Sequence, residues 1–399
     1  TDNFFSSSLG EEFFAPEICI FSKINPALGL QGLLGIKTGS VKLTIKKSKN
    51  YAITVKPTVS KIRPFVTGII AKNGKIDDKT IKQLMTMQED LHFGIGRKRK
   101  KSSIGIHDLD KISFPLTYTS VDKNHKFIPL NSEKELTISK ILSNTETGKD
   151  YGHLLGQSPK VPIIIDSNDN TVSFPPIINA GITTVTTKTK NLFVEVTGIN
   201  KADAEDMLSV VATILQSAGF NLENIHISGA KNSSPKLEEK KLSVDSSLIN
   251  QTLGLELSTP KIISSLKKSR LNAISQGKKI VCTIPAYRFD IFGPMDLVEE
   301  VALGYGIQNF EPTVSPSQTI GQTNPVSLHL KSLNQTMIGL GFLEALNSSL
   351  SSKRVLYEMT NRDSKNIISV LDSKSQEHTI LRDSILPGLI ENLSRNIHE

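Results

Sequence analysis

Four carboxylates crowd the stretch YRFDIFGPMDLVEEVALGYG, residues 287–306: Asp290, Asp296, Glu299 and Glu300. Asp296, Glu299 and Glu300 stand at i, i+3 and i+4 of an expected helix, so their side chains share one face. Asp290 is expected at the end of the strand that precedes it. Converging carboxylate oxygens suit a hard cation such as Mg²⁺, which takes oxygen ligands and keeps several waters. Acidic residues in a first helical turn also answer the helix dipole, at ~0.3–1 kcal/mol each, with no ion involved. Like charges held this close still call for a cation: an ion, an arginine such as Arg288, or a partner chain.

A second charged stretch, GIGRKRKK, carries Arg97, Lys98, Arg99, Lys100 and Lys101. It lacks the Gly-Lys-Ser/Thr ending of a phosphate loop and has no complete G-x-G-x-x-G. It reads equally as a set of phosphate contacts for RNA and as a solvated turn. His107, in GIHDLD, lies beside Asp108 and Asp110, a grouping that invites acid–base chemistry. The preferred reading is a structural histidine. No nucleophile–His–acid set is apparent in the sequence. The two cysteines, Cys19 and Cys282, sit in unrelated contexts, which excludes a disulfide framework or a zinc site built from them alone.

The elements that must hold these residues belong to a chain of 399 residues, long enough for two to four domains. With 38% hydrophobic and 22% charged residues it is globular rather than disordered. The net charge of +8 permits a polyanionic partner without selecting one. No apolar run approaches the ~18 residues of a membrane helix, and the start lacks the pattern of a signal peptide. The first residue is Thr1 and the last residues read as the middle of a helix, so sequence is expected to be missing at both ends.

Residues 1–50 are hard to read. From residue 51 to 229 strands and helices mix in one α+β domain. IRPFVTGIIAKNG, VPIIIDSNDNTVSFPPIIN, TKNLFVEVTG and NLENIHIS read as strands and turns. DDKTIKQLMTMQEDLHF is a helix with Asp78 as its cap and Met85 and Met87 as packing residues. KADAEDMLSVVATILQSAG is a long amphipathic helix closed by Gly219. Residues 230–241 form a linker, 242–312 a small helix-rich domain carrying the acidic corner, 313–325 a second linker, and 326–399 the start of a further module.

YRFDIFGPMDLVEEVALGYGIQNF resembles the B5 signature of the phenylalanyl-tRNA synthetase beta subunit: R-x-D-I, a short turn, then D-L-x-E-[ED]-[VI]-A-x-x-Y-G. In that family the matching acidic positions are assigned to Mg²⁺, which implies Asp290, Asp296, Glu299 and Glu300 as ligands. Further blocks, MQEDLHFGIGRKRKKSSIGIHDLDKI, SFPPIIN, TKNLFVEVTG and LRDSILPGLIENLSRNIHE, resemble the archaeal and eukaryotic form of this subunit and follow its order over most of residues 60–399. The resemblance implies an α+β multidomain fold: a B3/B4 editing-like domain over 51–229, a winged-helix-like B5 domain, and the start of a class II-like module that is catalytically inert. It implies an alpha partner in an α2β2 assembly that holds ATP and attaches phenylalanine, tRNA(Phe) as nucleic-acid partner, Mg²⁺ as cofactor and a cytoplasmic setting. No G-x-G-x-x-R of a class II ATP site is found.

The B3/B4 module of this family hydrolyses mischarged tyrosyl-tRNA. VSFPPIIN and NLFVEVTG resemble the strands lining its pocket. Glu195 is then the candidate contact for the tyrosine phenol, because a carboxylate accepts its hydrogen bond. Thr197 and Ser173 are candidate polar wall residues and Asn179 a further one. On a regular strand Glu195 and Thr197 face the same side. Two alternatives use the same modules: a non-catalytic nucleic-acid-binding protein, and a free-standing editing hydrolase.

Overall fold

The structure, a computed structural model, describes residues 26–156, 158–229, 237–314, 321–364, 366–371, 373 and 375–397. Cys19 and parts of both expected linkers, residues 230–236 and 315–320, lie outside the described residues. The chain divides into two compact units, Thr1–Glu311 and Pro312–Glu399. Among the described residues no helix is long and apolar enough to cross a membrane.

The Leu192–Gly198 strand explains how the first unit is layered. All seven of its residues are buried, so alternation along it separates two interiors rather than core from solvent. Leu192, Val194 and Val196 pack with Leu84, Met87 and Leu91 of the helix Asp78–Phe93 and with Leu208, Val211 and Leu215 of the helix Lys201–Ser217. Phe193 points the other way, among Ile53, Tyr118, Ile164 and Val172 of a second sheet. The result is a layer of helices, a five-stranded sheet and a six-stranded sheet.

The five-stranded sheet runs Ile45–Lys46, Asn221–Asn224, Phe65–Lys72, Leu192–Gly198, Ser102–Asp108. The six-stranded sheet runs Ile178–Asn179, Thr171–Phe174, Lys160–Ile165, Leu116–Asp122, Ala52–Val55, His226–Ser228. NLENIHIS is therefore not one strand. Leu222 serves the helix-side core, while Ile225 and Ile227 serve the inter-sheet core, so the chain crosses between sheets there. The poorly read remnant before residue 51 also contributes, where SVKLTIKK alternates apolar and polar residues: Val41, Leu43 and Ile45 pack on the helix-side core, and Ile45–Lys46 is a sheet edge. Asp77, not Asp78, caps the first of these helices, its Oδ1 accepting the Thr80 N–H at 2.7 Å. Met87 is buried as expected, whereas Met85 is 61% exposed.

Residues 240–305 form a three-stranded antiparallel sheet, ordered Lys240–Asp245, Lys279–Ile284, Asn272–Gln276, with helices Ser246–Leu253, Thr259–Lys268 and Pro294–Tyr305. Ile249, Ile262, Leu266, Cys282, Leu297 and Val301 share its core. The middle strand ends at Ile284, so Asp290 lies in the turn beyond it and not at a strand end. That turn leads straight into the Pro294–Tyr305 helix.

The second unit is described by itself. It holds the helix Pro325–Gly339, with no buried residue, a short pairing of Leu350–Ser351 with Ile380–Leu381, and the helix Leu386–Arg395. Its small core gathers Leu356, Tyr357 and Ile380.

Candidate functional site

A cavity of about 460 Å³ opens beside the five-stranded sheet. Ile104 and Ile106 of one strand, Pro175–Ile177 of a turn with Ile178 of the strand after it, and Leu84, Met85 and Gln88 of the Asp78–Phe93 helix wall it. Ser173, Asn179 and Glu195 line it as well. Three of the four residues expected at a pocket thus come together, from three strands of two different sheets.

Glu195 is 2% exposed. The positions beside it on both neighbouring strands are glycines, Gly68 and Gly105. A methyl group at Gly68 would lie 2.7 Å from the Val194 carbonyl, and one at Gly105 would lie 2.6 Å from Glu195 Oε1. The carboxyl group occupies room that the missing side chain of Gly105 provides, while Gly68 lets the backbone of its neighbour and the Ile225 and Phe193 side chains approach. Ser173 Oγ donates to Glu195 Oε1 at 2.9 Å, while Oε2 receives no hydrogen bond. Burial pushes the Glu195 carboxyl up to about 7, against the Ser173 hydrogen bond and the charge of Arg63, which both pull it down.

Thr197 faces the same side as Glu195, as expected, but its polar groups serve a neighbouring network. Arg63 Nε donates to Thr197 Oγ1 at 2.9 Å, and Arg63 Nη2 donates to the Thr197 carbonyl at 2.9 Å and to Ser103 Oγ at 3.2 Å. Tyr118 holds the Arg63 carbonyl at 2.7 Å. Arg63 escaped the sequence reading. Burial lowers its guanidinium to about 10, opposed by Tyr118 and Glu195.

His107 is fully buried, stacked on Phe193 with ring centroids 5.6 Å apart. Its acidic neighbours do other work. Asp108 accepts from Thr189 Oγ1 at 2.7 Å, and Asp110 from Asn191 Nδ2 at 3.0 Å. The structural reading of His107 holds for its placement in the core.

The basic turn divides. Arg97, Lys98 and Arg99 have φ of 49°, 53° and 64°, a left-handed turn that sends Arg99 inward and leaves its neighbours outside. Arg97, Lys98, Lys100 and Lys101 are exposed. Arg99 corrects the expectation of a phosphate contact. It is 8% exposed, donates to the Pro176 and Ile177 carbonyls at 3.2 and 3.0 Å, and pairs with Glu89 at 2.9 Å. It pins the loop that walls the cavity.

At the acidic corner, the cation in place is Arg288. Its Nη2 donates to Asp290 Oδ2 at 2.8 Å and also to Glu300 Oε1. Burial works against the Arg288 charge, but Glu300 and Asp290 outweigh it and hold the guanidinium protonated. Asp296 is a capping residue, its Oδ2 accepting the Phe292 and Gly293 N–H groups at 2.7 Å each. Glu299 is exposed. All four carboxylates line a cavity of about 580 Å³ shared with Asp203, Asp206 and Lys101. Among the described residues no three acidic, His or Cys side chains converge as an ion would require. With Asp290 and Glu300 turned onto Arg288 and Asp296 onto the backbone, these residues do not fit Mg²⁺ as they stand.

Comparisons with known proteins agree with this architecture. Residues 50–209 match the B3/4 domain, 242–307 the tRNA synthetase B5 domain, and 311–399 the phenylalanyl tRNA synthetase beta chain CLM domain. The class these define is a chain of an aminoacyl-tRNA ligase. The phenylalanine–tRNA ligase beta subunit of Archaeoglobus fulgidus is 38% identical over 392 residues, spanning 97% of this chain and 71% of that one. The same subunit of Methanocaldococcus jannaschii is 39% identical over 379 residues, 94% of this chain and 68% of that one. The crystal structure of an N-terminal fragment of the phenylalanyl-tRNA synthetase beta-subunit from Pyrococcus horikoshii aligns with a TM-score of 0.67 at 34% identity, over 69% of this chain and 80% of that one. The chain belongs to the phenylalanine–tRNA ligase beta-subunit family.

Proposed function

We propose that the Glu195 cavity hydrolyses mischarged tyrosyl-tRNA(Phe). The observation that carries this is a buried carboxyl group, one oxygen unpaired, on the wall of a largely apolar cavity of about 460 Å³. Apolar walls suit an aromatic ring, and a lone acceptor suits the hydroxyl that separates tyrosine from phenylalanine. A hydrophobic pocket elsewhere in the ligase would reject an added hydroxyl only ~100-fold, so a second, hydrolytic site has a purpose.

Hydrolysis adds a water oxygen to the ester carbonyl and breaks its bond to the ribose oxygen. One water proton ends on that ribose oxygen. Ser173 orients the Glu195 carboxyl through its 2.9 Å hydrogen bond, and Arg99 holds the Pro176–Ile177 wall against the ring. Discrimination by placement, with water as nucleophile, needs no covalent intermediate.

The wider assignments are part of the same proposal: an alpha partner in an α2β2 assembly, ATP and phenylalanine bound by that partner, and work in the cytoplasm. Arg97, Lys98, Lys100 and Lys101 are offered as contacts to tRNA phosphates. Mg²⁺ serves the ligase reaction at the alpha partner's ATP. No step is derived through an ion at Asp290, Asp296, Glu299 and Glu300. The test is a crystal structure with a non-hydrolysable tyrosyl-adenosine analogue. The phenol should lie within hydrogen-bond distance of Glu195; a ring seated elsewhere would refute the assignment.

A further inference from the structure

His107 Nε2 is buried and receives no hydrogen bond from the protein. Its state is fixed from the other side of the ring. Thr183 Oγ1 lies 2.8 Å from His107 Nδ1 and 3.1 Å from the Ala180 carbonyl. A carbonyl only accepts, so the single hydroxyl proton of Thr183 goes to Ala180. Nδ1 must then donate to Thr183, and Nε2 is left as a bare lone pair. Burial pushes the imidazole down to about 3, so the ring stays neutral. The stack on Phe193 keeps it from turning.

That nitrogen lies beside a built place. Gly105 and His107 share one face of their strand, and Gly105 stands across from Glu195. A methyl group at Gly105 would meet His107 Nε2 and Glu195 Oε1 at 2.6 Å each and Asn179 Oδ1 at 3.1 Å. Acceptors from three elements therefore converge on room that residue 105 leaves by having no side chain. Glu195 and Asn179 line the cavity, and His107 lies directly behind them, its Nε2 buried against the Gly105 position.

We propose that His107 is a specificity-determining residue of the cavity, whose Nε2 accepts the ring hydroxyl of the bound amino acid beside Glu195. The inference rests on reading the cavity as the editing pocket and names a second recognition group in it. The hydrogen bonds close as a chain. The Glu195 carboxyl, protonated in part near neutrality because burial lifts it to about 7, gives its proton to the phenol oxygen. The phenol O–H is given to His107 Nε2. When Glu195 is ionised the phenol proton turns to the carboxylate instead. A phenylalanine ring edge offers neither group a partner and leaves both out of water, and sites of this kind discriminate steeply.

The experiment has two arms on the 399-residue chain. In the first, hydrolysis of tyrosyl-tRNA(Phe) and phenylalanyl-tRNA(Phe) is compared in wild type, His107→Phe and Thr183→Val. His107→Phe keeps a ring against Phe193 and removes the Nε2 acceptor together with the Nδ1 donor to Thr183, whose hydroxyl keeps its bond to the Ala180 carbonyl. The Tyr-over-Phe preference should fall by roughly tenfold to a hundredfold, the worth of one buried hydrogen bond. Thr183→Val, which frees the tautomer, should move it the same way by less. In the second arm the imidazole ¹⁵N resonances of wild type are followed with the stable tyrosyl- and phenylalanyl-adenosine analogues. His107 Nε2 should shift with the tyrosyl analogue alone, a response a merely structural ring would not give.

Selective hydrolysis by wild type with an unchanged preference in His107→Phe overturns the inference and leaves the editing reading standing. An Nε2 shift specific to the tyrosyl analogue without any hydrolysis supports the inference and removes the editing reading. Equal Nε2 responses to both analogues, or none to either, overturn the inference.

Discussion

Replacing Glu195 by glutamine should stabilise the chain above neutrality and leave it nearly unchanged in mild acid. The buried carboxyl has its folded value lifted from 4.5 to about 7. Between those values the folded protein holds a proton that the unfolded chain has released. Wild-type stability therefore falls as pH rises from about 4.5 to about 7 and is level beyond. At ~1.36 kcal/mol per unit the gap amounts to about 3 kcal/mol, an upper bound because water entry and relaxation reduce it. Glutamine keeps the shape and offers an amide oxygen to the Ser173 hydroxyl, which now donates at 2.9 Å. Its NH₂ then takes the place of Oε2, the oxygen that receives no hydrogen bond. Urea unfolding of both proteins at pH 5, 6, 7 and 8 reads the difference directly. The gap in favour of Glu195→Gln should open with pH towards about 2–3 kcal/mol. Parallel curves at every pH would refute the claim that burial outweighs the Arg63 charge and the Ser173 hydrogen bond at this carboxyl.

Gly105→Ala should lower stability by ~1–3 kcal/mol in thermal unfolding and abolish any Tyr-over-Phe preference in hydrolysis, because its methyl meets Glu195 and His107 at 2.6 Å; wild-type behaviour would contradict the packing described. Arg288→Met strands Asp290 and Glu300 without their cation and should cost ~3–5 kcal/mol by denaturant unfolding, a loss below about 1 kcal/mol being incompatible with the pairing. Millimolar Mg²⁺ should leave the wild-type melting temperature unchanged, and a rise would mean an ion can displace Arg288. Lys98→Gln and Lys100→Gln should each weaken tRNA binding and reduce the salt slope by about one, whereas Arg99→Gln should lower stability with the slope unchanged; filter binding across a salt series separates the two behaviours.

The sequence carried the elements whose residues bury themselves locally. The Lys201–Ser217 helix shows its apolar stripe, and alternation in NLFVEVTG was enough to put Glu195 and Thr197 on one face. It did not show that both faces of that strand are interior, since this depends on a second sheet assembled from residues 52–228. Gly105 was the available signal for the pocket, as an isolated glycine inside a strand marks a close approach. Arg99 looked like its neighbours because a charge run does not reveal which side chain a left-handed turn sends inward. The Asp290–Arg288 pairing was legible two residues apart, yet Glu300 joins it only once the turn and the helix fold back on each other. NLENIHIS read as one strand because nothing local distinguishes the residues that serve each core.

The most direct test of the account is the rate at which this chain deacylates tyrosyl-tRNA(Phe) and phenylalanyl-tRNA(Phe), measured beside Glu195→Ala. Faster loss of tyrosine by wild type, with the preference removed by the substitution, is the predicted result. Equal rates for the two esters, or a preference that Glu195→Ala leaves intact, would contradict it.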